Sequence, residues 1–150
     1  MCNVEENEIQ MGIDGCSAPV HAIPSYNMAL GYARIANPEK LNEQYRNAAN
    51  LIFTAMNKEP FMISGTGSFC TALIESTGGK LIGKIGAEGV FCVGVKGRNI
   101  GIALKIEDGS MKVIPPTVMS ILESLDLLTK DELLKLDRFK EIFLNSQHVF

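Results

Sequence analysis

The residues of this chain with chemistry to offer are four cysteines, two histidines and a scatter of lysines and carboxylates. The run Gly78, Gly79, Lys80, Leu81, Ile82, Gly83, Lys84 has the spacing of a phosphate-binding loop, but Ile85 stands where Ser or Thr would reach magnesium. Such a loop also opens into a helix, whereas Ile85 to Val95 reads as turn and strand, so no nucleotide site is expected. The only imidazoles are His21, near Pro19, and His148, and no Ser, His, Asp triad is visible. A Cys nucleophile partnered by His21 competes with the plain reading of each cysteine as a small hydrophobe. Cys2, Cys16, Cys70 and Cys92 lie far apart with no Cys-x-x-Cys pair, so neither a closed zinc site nor a disulfide framework is expected from their spacing.

Lys105 has two readings. On a strand beside Gly101 and Ala103 it could sit half buried, where desolvation makes a lysine a base or a charge stabiliser; the plain alternative is a solvated strand lysine. Lys84, shortly before Gly86 and Glu88, poses the same choice. Asp14 and Cys16 fall in a Gly- and Pro-rich loop, where they either shape a turn or contribute polar contacts to a site.

The elements that must position these groups follow from punctuation and periodicity. Residues up to about Asp14 read as a ragged, charged start. Gly12, Gly15, Pro19 and Pro24 bracket a loop, after which Ser25 is expected to cap a helix carrying Met28, Leu30, Tyr32 and Ile35. Asn37 and Pro38 are expected to open a second helix, whose apolar stripe runs through Leu41, Tyr45, Ala48, Leu51, Ile52, Ala55 and Met56 until Pro60 ends it. A shorter helical segment around Cys70 to Glu75 closes at Gly78 and Gly79.

From Lys80 to Val113 the period changes to that of four short strands. Val90 to Val95, the turn Lys96 to Asn99, and Ile100 to Ile106 make a hairpin. With Val95 opposite Ile100, one face carries Phe91, Val93, Val95, Ile100, Ile102, Leu104 and Ile106 and is the core. The other carries Val90, Cys92, Gly94, Gly101, Ala103 and Lys105, whose small side chains would leave room for a ligand. A helix from Val118 to Leu125, a charged helix near Asp131 to Leu136, and a strand beginning at Gln147 to Phe150 complete the chain. The fold class is α+β, with an antiparallel sheet of about four strands flanked by helices in a single domain over 1–150.

Composition limits the partners. At 150 residues, 46% hydrophobic and 21% charged, the chain can bury one core. Its 17 acidic against 14 basic side chains offer no basic surface to a phosphate backbone, so no nucleic acid is expected. No apolar run approaches the roughly 20 residues of a membrane helix. The acidic, polar start lacks the pattern of a secretory signal, which points to the cytoplasm.

Three stretches taken together, GIDGCSAPVHAIP (Gly12 to Pro24), GTGSFCTALI (Gly65 to Ile74) and KIGAEGVFCVGVKGRNIGIALKIEDG (Lys84 to Gly109), resemble the carboxy-terminal half of the bacterial L-asparaginase II family. That family is similar in fold to the serine β-lactamases and glutaminases. The resemblance implies an amidohydrolase that turns L-asparagine and water into L-aspartate and ammonia through a serine acyl-enzyme, with lysines activating the serine. It implies that Lys105 is one such lysine and that Cys16 is a thiolate ligand of zinc. Asp14, Cys92, Lys84 and Glu88 would then line the substrate neighbourhood.

The family pattern also contains a Ser-x-x-Lys pair and a Cys-Ser-Gly-Lys-His stretch, and neither occurs here; no serine in this chain is followed three residues later by lysine. Ser68, Cys70 and Lys112 stand where the family tends to show Arg, Asp and Arg. The expectation is a half-length product, inactive alone, whose partner is an amino-terminal half carrying the serine. The alternatives are a non-catalytic remnant that self-associates into a homo-oligomer, and a hydrolase using Cys16 or Cys92.

Overall fold

The computed structural model describes residues 1–140; the strand expected at Gln147 to Phe150, and His148, lie outside the described residues. The start is more ordered than its composition suggests. A single 3-10 turn at Glu6–Glu8 leads into β1 (Gln10–Ile13), which pairs antiparallel with β2 (Pro19–Ala22). The cause is local: the Asp14 carboxylate accepts the Cys16 and Ala18 N–H groups at 2.9 and 3.1 Å and closes the turn between the strands.

Helix α1 (Ser25–Ala36) begins where expected, but Ser25 is its first residue and makes no cap; the Asn27 and Met28 N–H groups donate to the Pro24 carbonyl instead. Asn37 and Pro38 open only a 3-10 turn, Pro38–Lys40. The Asn37 side chain is occupied elsewhere. Its amide donates to the carbonyls of Ala33 and Val95 and its oxygen accepts the Gly97 N–H, tying the end of the helix to a distant hairpin. The cap of α2 (Glu43–Lys58) falls to Asn42, which accepts the Tyr45 N–H at 3.0 Å. Helix α2 stops before Pro60, and the short α3 (Phe61–Ser64) follows. Ser68 caps α4 (Phe69–Ser76), and Gly78 and Gly79 leave it with φ of +56° and +88°.

The central sheet has the order β3-β4-β5, with β3 (Leu81–Gly86), β4 (Val90–Val95) and β5 (Ile100–Lys105) all antiparallel and Val95 opposite Ile100 as the hairpin reading requires. It has three strands where the sequence suggested four. Past Ile106 the chain folds into a compact turn, with the Gly109 N–H on the Ile106 carbonyl and the Ser110 N–H on the Asp108 carboxylate, so no fourth strand is added. The chain ends its described part with α5 (Ile114–Ser124), α6 (Lys130–Lys135) and a 3-10 turn.

Phe91, Val93 and Val95 face α4, α5 and α6, burying Leu73, Ile114, Val118, Leu122 and Leu136 with them; Ile100, Ile102 and Leu104 pack at the margin. Each such aliphatic side chain stabilises the fold by about 1.5–3 kcal/mol relative to exposure. The opposite face departs from expectation, because α1 occupies the space reserved for a ligand. A Cβ at Gly101 would lie 1.9 Å from the Ala29 carbonyl oxygen, and one at Gly94 would lie 2.5 Å from that of Tyr32. The small residues serve close helix-on-sheet packing rather than a binding cleft.

Candidate functional site

Sheet register brings some of the expected site residues together. Lys84 lies opposite Cys92, Cys92 opposite Ala103, and Val90 opposite Lys105, so Lys84, Cys92 and Lys105 share one face in adjacent rows. It is the face α1 covers at its Gly94 and Gly101 end. Lys84 and Lys105 are exposed, each with its amino group donating to the next residue's carbonyl, Ile85 and Ile106 respectively. Of the two readings of Lys105, the chain by itself presents the solvated one. Glu88 is exposed in the β3–β4 turn, in the left-handed region at φ +57°, with its carboxylate beside Gly109.

Asp14 and Cys16 form a second group at the tip of the β1–β2 turn, both exposed. The Asp14 carboxyl is held below the usual range first by the Cys16 thiol, then by the Ala18 N–H. Its oxygen is therefore committed to the turn. Five concavities of the structure, the largest about 440 Å³, include none lined by Asp14, Cys16, Lys84, Glu88, Cys92 or Lys105. None of the five unites Cys16 with Lys105.

The thiols divide by environment. All four cysteines are free. Burial pushes the Cys92 thiol up to about 11, with nearby Cys2 adding to it, so Cys92 is a neutral thiol near pH 7 and a poor nucleophile. Burial likewise raises the Cys70 thiol, partly offset by the Ile85 N–H it accepts at 3.2 Å. His21 stands exposed on β2 opposite Met11.

Two residues were not among the expected site residues. Tyr32, half-buried on α1 with Cys92 and Cys70 nearby, has its phenol pushed up to about 12 by burial first. Cys2 sits on α1 at Gly31, its sulfur 2.8 Å from where a Cβ would be. Both line the 440 Å³ cavity with Met28, Ile35 and Ile52. A glycine inside a helix is the one signal that something packs there closely.

No group of three or more His, Cys, Asp and Glu side chains lies close enough to hold a metal ion among the described residues. Cys16 alone offers one of the four donors a closed zinc site takes, so these residues do not make a zinc centre by themselves. No helix among the described residues is long and apolar enough to cross a membrane.

No curated protein matches the chain. The family model described as L-asparaginase II matches residues 1–149. That span takes in the Asp14–Cys16 turn, the Lys84–Cys92–Lys105 face and the helices that hold them, and it places this chain in the L-asparaginase II family.

Proposed function

We propose that this chain is part of an L-asparaginase-type amidohydrolase that acts on L-asparagine with a nucleophile supplied from outside these 150 residues. The observation that carries the reading is the shared sheet face of Lys84, Cys92 and Lys105, in a chain of this family that contains no Ser-x-x-Lys pair. The exposed Lys105 amine is open to groups from another chain.

In the assembled enzyme a serine hydroxyl of the complement attacks the side-chain amide carbon of asparagine. The C–N bond breaks, ammonia leaves with the serine's proton, and water cleaves the resulting ester to aspartate. Lys105 assists by holding the proton or the developing negative charge, and Lys84 and Glu88 border the same end of the sheet. Cys16 would offer a single thiolate donor to a zinc ion whose other ligands come from elsewhere.

The test mixes this chain with a polypeptide bearing the family's Ser-x-x-Lys and Cys-Ser-Gly-Lys-His motifs and measures ammonia released from L-asparagine. The pair is expected to release ammonia while neither chain does alone. Lys105→Ala in the pair should slow turnover by roughly 10²–10⁴-fold, the usual worth of a positioned proton-transfer group. A complex that forms yet releases no ammonia rejects the reading, and ammonia from this chain alone rejects the need for a complement.

A further inference from the structure

The β1–β2 ribbon is exposed along all eight strand residues, on both faces. A two-stranded ribbon with no packed face is marginal in water. Which backbone groups it leaves free follows from its register. The Asp14 N–H donates to the Ala18 carbonyl at 3.0 Å, so Asp14 and Ala18 are a bonded pair. Alternation along an antiparallel ladder then makes Ile13 with Pro19, and Met11 with His21, the non-bonded pairs. Pro19, which has no N–H, fits that position.

Met11 and Ile13 therefore turn their N–H and C=O groups away from β2. The outer edge of β2 is blunted by Pro19, whereas the outer edge of β1 carries neither charge nor proline. Met11 is 61% exposed and Ile13 is 73% exposed beside these groups, which have no backbone partner among the described residues. An uncharged edge meets no like-charge repulsion across a two-fold axis, and it is complementary to itself. With the axis at Gly12, Met11 faces the partner's Ile13 and exchanges both bonds of a close pair, and symmetry repeats the exchange. Gly12 then faces the partner's Gly12 with no side chain between the backbones.

We propose that β1 pairs antiparallel with β1 of a second copy of this chain, joining two ribbons into one four-stranded sheet centred on Gly12. The pairing stands apart from the amide chemistry, and its test reads no ammonia.

Sedimentation equilibrium of the full chain is expected to show a dimer. Met11→Pro, which removes an outward donor and leaves the bonds to β2 in place, and Ile13→Lys, which sets like charges near the axis, should each raise the dissociation constant roughly tenfold or more. A second measurement fixes the register. A Cβ at Gly12 makes only an ordinary 3.5 Å contact with Val20, so Gly12→Cys fits the strand. Opposed non-bonded residues lie about 4.5 Å apart between Cα atoms, within disulfide reach. With Cys2→Ser and Cys16→Ser alongside, oxidised glutathione should convert Gly12→Cys into a covalent dimer. A monomeric parent chain, a dimer indifferent to both edge variants, or a dimer that Gly12→Cys does not cross-link overturns the pairing. So does a chain whose Met11 and Ile13 amides gain exchange protection only when an amino-terminal complement is added.

Discussion

Gly101→Ala separates a covered sheet face from an open one. The added Cβ would stand 1.9 Å from the Ala29 carbonyl oxygen, 2.6 Å from the Ala33 nitrogen and 2.9 Å from the Ala29 carbonyl carbon, all backbone. A carbon approaches a carbonyl oxygen no closer than about 3.3 Å in ordinary packing, so α1 must lift by roughly 1.4 Å. Rotamer changes cannot relieve a backbone clash. The cost therefore belongs at the top of the overpacking range, about 3 kcal/mol. With a urea slope of about 2 kcal/mol/M, the unfolding midpoint should fall by about 1.5 M. Gly15→Ala is the control, since nothing lies within 4 Å of its Cβ position and its φ is not positive; it should stay within about 0.5 kcal/mol of the parent. A Gly101→Ala midpoint equal to the parent's, measured by circular dichroism, would refute the packing of α1 on this face and restore the open cleft that small side chains suggested.

Asn37→Ala should destabilise the fold by about 2–3 kcal/mol, because it strips partners from the Val95 carbonyl and the Gly97 N–H at a site where Asn37 is 8% exposed; urea titration checks it. Glu132 sets an acid limit. Burial opposes its ionisation, but the Lys80 ammonium at 2.6 Å and the Thr129 N–H outweigh that and hold its carboxyl below the ordinary 4.5. A depressed carboxylate stabilises the fold fully above its unfolded value and loses that contribution as the pH falls through the folded one. The gap in melting temperature between the parent and Glu132→Gln should thus be largest near neutral pH and shrink below 4.5; a gap independent of pH would contradict the pairing. An aromatic disulfide reagent near neutral pH should label exposed Cys16 at once and reach Cys70 and Cys92 only on unfolding, as mass spectrometry of the labelled peptides would show.

Much of the central sheet was legible because its cues are local and repeated every second residue. Lys96 to Asn99 between two apolar alternations set the turn, and the turn set Val95 against Ile100. That register alone placed Cys92 and Lys105 on one side. Helix ends were less legible where a polar side chain had two suitors. Asn37 has a capping residue's chemistry but bonds to Val95 and Gly97, nearly sixty residues away, and Asn42 caps α2 in its place. The β1–β2 ribbon was missed because Gln10, Met11, Gly12 and Ile13 lack the alternation that a one-sided core imposes.

By itself, the order of amino acids determined the α+β class, the hairpin register, the family and the absence of a Ser-x-x-Lys pair. These depend on neighbours within a few residues or on the presence of a motif. Tertiary structure alone decided what lies over Gly94 and Gly101. A glycine on a strand signals that something comes close, but whether it is a ligand or a helix backbone depends on where a segment seventy residues earlier packs. The exposure of Lys105 was decided there too, since burial belongs to the surfaces that meet around a side chain and not to the strand that carries it.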